Sequence, residues 1–310
     1  MGSTRKHEMG RKRETGRIEF ASFAKINLTL EVGRRREDGY HEIDSVAQVI
    51  DIRDRLEVEK AAPGVIEVEV ESGDAPRGEE NLVYKACEAF FRASGVSGGA
   101  RFRLTKRIPM QAGLGGGSGN AAAAVVALDR LYEMGLPVEE LARIASGIGS
   151  DAALFVYGGT VRMRSRGDLV ELLPDAPELD LVVIKPDVGV STGWAYAELD
   201  RNPDCGPRGA CDRAEPAIRR RDRDALIESL SNDFDGVVSR AFEDVREAKS
   251  LLIGAGARRA MLCGSGSAVL GVFGSRNDAR GAARNAQGRF AHVFQTHTLT
   301  RAESSGVLTR

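Results

Sequence analysis

A chain of 310 residues, 42% hydrophobic and 29% charged, is long enough to bury the core of one large domain or two ordinary ones. Its formal net charge of −1 lacks the basic footprint of a nucleic-acid binder, and no run reaches the ~18 apolar residues of a membrane span. Cys87, Cys205, Cys211 and Cys263 have no CxxC spacing, which argues against structural zinc or a disulfide framework and for free thiols in a cytoplasmic protein, although Cys205 and Cys211 could close a short loop.

Residues 1–17 carry Arg5, Lys6, Arg11, Lys12, Arg13 and Arg17 against Glu8 and Glu14, a pattern that predicts a disordered basic tail and lacks the apolar stretch of a secretory signal. Short alternating or β-branched runs follow at 18–20, 27–32, 45–50, 55–59 and 65–70, separated by polar turns at 34–39 and 71–79. Residues 81–93 place Leu82, Ala86, Ala89 and Phe90 on one helical face, ended by Gly95, and 101–104 alternate again. A glycine-rich loop at 109–120 runs into an alanine-rich helix at 121–132 and a second helix at 138–145. Strands are expected at 152–156, 160–163 and 181–184, a loop at 200–211, and helices at 223–230, 237–253 and 278–287. An apolar stretch at 260–273 is broken by Gly264-Ser-Gly266. This order predicts an α+β fold of two lobes with a cleft between them, residues 18–160 and 161–300.

Five glycines fall within the seven positions 113–119. Glycine lets backbone amides approach a ligand closely, successive amides form an anion nest, and the helix starting near Ser118 adds the positive end of its dipole. Polyphosphate fits this arrangement. It is no Walker A loop, because no lysine lies in 113–120, and no dinucleotide fingerprint, because Ser118 stands where the third glycine belongs.

Pro109-Met-Gln-Ala-Gly-Leu-Gly-Gly-Gly-Ser-Gly-Asn-Ala-Ala122 resembles the phosphate loop of the GHMP kinase superfamily. Ala24-Lys-Ile-Asn-Leu28, Asp38-Gly-Tyr-His41, Glu80-Asn-Leu82, Gly149-Ser-Asp151, Ser231-Asn-Asp233 and Cys263-Gly-Ser-Gly266 fall in the order of one branch, which acts on a cytidine-diphosphate-linked methylerythritol in non-mevalonate isoprenoid synthesis. The resemblance spans about residues 20–273. It departs at Gly119, where many members have serine, and at Ser150-Asp-Ala-Ala153 and Gly193.

The resemblance implies a two-lobed GHMP kinase that uses ATP and Mg²⁺ to phosphorylate the 2-hydroxyl of that small molecule, as a monomer or homodimer. It implies Lys25 and Asp151 as the catalytic pair, with Asp151 accepting or orienting the hydroxyl proton; read alone, an aspartate after Gly-Ser is a turn or helix cap. A lysine inside an apolar strand needs a partner if buried. ATP would lie against Pro109, Gly113, Leu114, Gly115, Gly116, Gly117, Ser118, Gly119 and Asn120, with Asn81 and Lys106 at the adenine. Ser118 would ligate Mg²⁺, cap the helix, or do both. The acceptor would meet Asn27, which shares the strand face of Lys25, and Tyr40, His41, Thr192 and Tyr196. The alternatives are a homoserine- or mevalonate-type relative, with no use for base stacking by Tyr40 and His41, and a non-catalytic nucleotide-binding relative.

Overall fold

The computed structural model describes residues 16–202 and 208–304. The basic tail up to residue 15, and Cys205 with any loop it would close onto Cys211, lie outside the described residues. The elements in chain order are β1 (Ile18–Arg35), β2 (His41–Ala61), β3 (Ile66–Ser72), α1 (Leu82–Ser94), β4 (Gly99–Thr105), α2 (Gly116–Leu131), α3 (Val138–Ser146), α4 (Ala152–Tyr157), β5 (Thr160–Ser165), β6 (Leu169–Leu172) and β7 (Asp180–Lys185). After them come α5 (Thr192–Arg201), α6 (Ala210–Arg219), α7 (Arg223–Ser229), β8 (Ser231–Asn232), α8 (Phe234–Ala241), α9 (Glu243–Gly254), β9 (Arg259–Leu262), β10 (Val269–Phe273), α10 (Arg276–Ala286), β11 (His292–His297) and α11 (Arg301–Ser304).

Two sheets organise these elements. The first runs β3-β4-β2-β1-β8, with β5 on β2 and β6 on β5, so it continues past residue 160; the second runs β11-β7-β10-β9. Strand period 2 explains how the second sheet serves two cores, and a register shift between Phe23 and Ala24 separates the two faces that the first sheet uses. Leu181 and Val183 of β7 face inward with Ile26, Leu28, Val46 and Ile50 of the first sheet, and α6 and α7 close that core. Val182 and Ile184 face the other way, onto α5, α8, α9 and α10. Phe20, Leu56 and Phe102 meet α1–α4 on the outer side of the first sheet. The α+β class holds, and no helix among the described residues is long and apolar enough to cross a membrane.

Several element expectations are corrected. Residues 152–156 form α4, not a strand; a run of five or six apolar residues carries no periodicity that separates the two. The helix expected at 237–253 is two, α8 and α9, broken where Phe242 takes the extended backbone (φ −118°, ψ 112°). The segment given to a loop at 200–211 holds the end of α5 and the start of α6. β6, α5, α6, β8, β11 and α11 went unforeseen.

Candidate active site

The glycine-rich segment bends into α2 at Gly116, five residues before the alanine run and two before Ser118. Gly113 (φ 72°) and Gly115 (φ 70°) occupy the left-handed region, and Gly115 is the N-cap of α2 without a capping side chain. The first-turn amides of α2 therefore have no capping side chain and are free to meet an anion in the loop's own concavity. Gly113 has a second reason: a Cβ there would stand 1.9 Å from the Cys263 carbonyl oxygen, because the turn containing Gly264-Ser-Gly266 lies directly beneath. That turn is stitched to the loop by Ser267 N–H donating to the Gln111 carbonyl (3.2 Å) and Ala268 N–H to that of Ala112 (3.3 Å). Asn232 holds the turn from below, donating to the Leu262 (2.9 Å) and Gly264 (2.8 Å) carbonyls.

Lys25 sits on β1, which also bonds the loop through Lys25 N–H to the Leu114 carbonyl at 2.9 Å. The Lys25 side chain, only 7% exposed, pairs with the Asp151 carboxylate at 3.3 Å and donates to Asn27 Oδ1 at 2.8 Å. Asn27 in turn donates to Ser45 Oγ (2.8 Å), which donates to the Thr29 carbonyl (2.7 Å), so the lysine is aimed by a chain of buried partners. Asp151 occupies the N-cap position of α4 but makes no capping bond, so its carboxylate, 29% exposed, is left to face Lys25. The turn before it packs on the phosphate loop: a Cβ at Gly149 would come 2.8 Å from Ser118 Oγ. Lys25, Asp151 and the loop thus converge from three elements.

Pro109, residues 113–118, Asn120, Asn81 and Lys106 all line one groove of about 300 Å³ beside the start of α2; Gly119 does not. Gly119 instead turns onto β1, where a Cβ would meet the Phe23 carbonyl oxygen at 2.7 Å. Asn81 caps α1, accepting from Val83 N–H at 2.9 Å and donating to the Pro76 carbonyl at 2.7 Å, so its amide shapes the groove wall. Lys106 is buried beneath Gly116 and pairs with Asp54, a residue that sequence reasoning missed. The wholly buried Asp54 carboxylate also accepts from the Arg107 (2.7 Å) and Ile108 (2.8 Å) amides and from Asn120 Nδ2 (2.8 Å). It thereby clamps the chain just before the glycines to the first turn of α2. The signal was present: Ile52, Asp54 and Leu56 are the alternate, buried positions of this stretch of β2, while Arg53 and Arg55 between them are exposed.

Across the cleft, Asp38 accepts from Tyr40 N–H at 3.1 Å and Gly39 adopts φ 85°, a turn that leaves Tyr40 60% exposed with the Arg166 guanidinium 5.3 Å from its ring centre. His41 faces inward and stacks on Tyr196 (centroids 4.7 Å apart, 21° between planes), whose ring also meets the edge of Phe234 at 4.8 Å. Burial, and then the charge of nearby Asp151, push the Tyr196 phenol up to about 12. Thr192 bonds Ser265 of the glycine turn at 3.0 Å, joining α5 to the loop's support. Among the described residues no cluster of three or more His, Cys, Asp or Glu is placed to hold a metal ion.

Two family models match the chain: the GHMP kinases N terminal domain over residues 81–159 and the GHMP kinases C terminal over 214–292. The chain is similar to the 4-diphosphocytidyl-2-C-methyl-D-erythritol kinase of Moorella thermoacetica, 41% identical over 284 residues that cover 91% of this chain and 99% of that one. The enzyme of the same name from Pelotomaculum thermopropionicum is 41% identical, over 89% and 96%. Among solved structures, a 4-(cytidine 5'-diphospho)-2C-methyl-D-erythritol kinase superposes with a TM-score of 0.77 at 32% identity, covering 91% of this chain and 99% of the other. A homoserine kinase from Cytophaga hutchinsonii reaches 0.74 at 20% identity over 94% and 98%, a likeness of fold.

Proposed function

The chain belongs to the GHMP kinases and is an ATP-dependent small-molecule kinase, and we propose that it phosphorylates the 2-hydroxyl of 4-diphosphocytidyl-2-C-methyl-D-erythritol, a step of non-mevalonate isoprenoid synthesis. The observation that carries this reading is the Lys25–Asp151 pair, held 3.3 Å apart beside a phosphate-binding helix N-terminus. Phosphoryl transfer needs little covalent help from the protein; it needs alignment, neutralised charge and one acceptor for the hydroxyl proton. Asp151 takes or orients that proton, since no capping bond occupies it. Lys25, fixed by Asn27, offsets charge building on the transferred group. The amides of Gly116, Gly117 and Ser118 cradle the β- and γ-phosphates, and the Lys106 side of the groove takes the adenine end.

Mg²⁺ would be held mostly by phosphate oxygens and water, with the Ser118 hydroxyl at the start of α2 as a ligand from the protein, and would neutralise charge between the phosphates. The cytosine is met by Tyr40, whose exposed ring offers a stacking face, and by the His41–Tyr196 pair, with Thr192 and Asn27 toward the methylerythritol.

A coupled ADP-release assay across acceptors tests the reading. The cytidyl substrate should turn over, and homoserine and mevalonate should not; the reverse pattern sinks it. Asp151→Asn should lower kcat by about 10²–10⁴, the usual range for a general base, with the dissociation constant for ATP within twofold of the parent. An unchanged kcat removes Asp151 from the chemistry.

A further inference from the structure

The helix α4, with Asp151 at its N-cap, spans only Ala152–Tyr157. Six residues fall far short of the ~12–15 that an isolated helix needs in water, so the position of α4 is set by what holds its two ends. Its front end packs on the phosphate loop, where a Cβ at Gly149 would come 2.8 Å from Ser118 Oγ. Its back end is held by Arg301 of α11, which lies beyond residue 292, the limit of the C-terminal family match.

The Arg301 guanidinium donates through Nη1 to the carbonyls of Tyr157 (3.0 Å) and Gly158 (2.7 Å), the last residue of α4 and its C-cap. Through Nη2 it donates to those of Thr160 and Leu173, both at 2.9 Å. One planar fork thus joins the end of α4 to the start of β5 and to the residue after β6. The carbonyls at a helix end have no partner within the helix, and a cation there also opposes the negative end of its dipole. Gly159 (φ 64°) turns the chain so tightly between α4 and β5 that a Cβ on it would stand 2.9 Å from Arg301 Cβ. The arginine is itself anchored. Its own N–H donates to Asp175 at 2.7 Å, and just before it Leu299 N–H bonds the Val49 carbonyl of β2 at 2.9 Å.

We infer that Arg301 is a positioning residue for phosphoryl transfer: by fixing the C-terminal end of α4 it fixes Asp151, at the other end, against Lys25 and the acceptor hydroxyl. The inference rests on the proposed role of Asp151 and deepens it. At 1.5 Å per residue α4 is about 9 Å long, so a tilt at its back end is carried to its front within two turns. A misplacement of about 1 Å from a change remote from the chemistry can cost 10²-fold in rate. Lysine cannot take the arginine's place, because a compact ammonium on a flexible stem does not span four carbonyls as the rigid fork does.

The test is a double-mutant cycle on the full chain: parent, Arg301→Lys, Asp151→Asn and the double variant. Each is assayed well below its melting temperature by single-turnover transfer to the acceptor that the ADP-release assay identifies. Arg301→Lys should lower kcat about 10–100-fold while Asp151 is present, and should change the rate of Asp151→Asn by less than about twofold, since the group being positioned has gone. Gly159→Ala, whose added Cβ displaces the same stem, is the second variant and should show the same dependence on Asp151. An Arg301→Lys enzyme with parental kcat overturns the inference. So does an equal fold-loss in both backgrounds, which would mean that Arg301 only supports the fold. A loss confined to KM for ATP overturns it too, because the arginine would then act through Phe155 of α4, whose ring lies against Gly115 of the phosphate loop. An unchanged kcat in Asp151→Asn alone would instead bring down the role of Asp151, and this inference with it.

Discussion

Asp54 is the single residue on which the nucleotide side of the site most depends mechanically. Its buried carboxylate neutralises Lys106, also buried, and gathers two backbone amides and the Asn120 side chain. Removing one partner of a buried pair leaves an uncompensated charge, which typically costs about 3–5 kcal/mol. Asp54→Asn keeps the size and part of the bonding but leaves Lys106 without its counter-charge. The urea midpoint should therefore fall by an amount worth about 3 kcal/mol, and KM for ATP should rise in the protein that stays folded, with the acceptor KM unchanged. A midpoint equal to the parent's would show that the pair contributes nothing. Lys25 and Asp151 were legible in the sequence because short motifs surround them, and Tyr40-His41 for the same reason. Arg301 was not, since 144 positions separate it from the end of α4 that it holds and no local pattern marks it. Asn81 and Lys106 were legible as groove residues, but their duties to the α1 cap and to Asp54 are tertiary facts.

At the scale of elements, α2 is the piece whose placement fixes the phosphate cradle. It is buried almost all round, with Ala121, Ala122, Ala124, Val125, Ala127 and Leu128 packed between α1, α3, α4 and the first sheet. Small side chains let the helix come close, and Gly119 lets it touch: a Cβ there would meet the Phe23 carbonyl at 2.7 Å and Ser22 Oγ at 3.1 Å. Glycine and serine are both small, so Gly119→Ser looks conservative by size. Backbone cannot give way as a flexible side chain can, and overpacking of this kind costs about 1–3 kcal/mol. The substitution should lower Tm and weaken ATP binding together, because the helix that shifts is the helix that presents the amides. A stable variant with parental KM for ATP would mean that α2 has slack the geometry does not suggest. The alanine run and the glycines made the existence of this helix plain from the sequence. Its start at Gly116 was hidden because helix propensity disfavours the glycines that begin it, and the ligand-facing turn overrides propensity. For α4 the error ran the other way: a short apolar run reads equally as a strand, and only its packing decides.

At the scale of the whole molecule, the two sheets share one core, and α6 closes it from the side. The fold class was legible from the order of strand and helix patterns; the sharing of the core was not, because it joins β1 and β2 to β7, β9 and β10 far along the chain. Arg162 of β5 is the polar fastening of this assembly. Its guanidinium bonds Asp44 of β2 (2.8 and 2.5 Å) and reaches Asp212 (2.7 Å) and Glu215 (2.9 Å) of α6. Hydrogen bonds from Arg219 first, and from Arg162 next, hold the Glu215 carboxyl below its ordinary range. A carboxyl depressed in the folded state adds stability above its unfolded pKa of about 4.3, and that contribution is lost as pH falls through the folded value. Arg162→Met removes the guanidinium that Asp44, Asp212 and Glu215 share and leaves Glu215 with Arg219 alone, a loss that matters while the Glu215 carboxyl is ionised and fades once it is protonated. The drop in Tm caused by Arg162→Met should therefore be large at pH 7 and shrink steadily below about pH 4, as thermal melts across that range would measure. Were the drop the same at every pH, Arg162 would be acting through the packing of its aliphatic stem, and the charge cluster would be only a solvated surface between β2, β5 and α6.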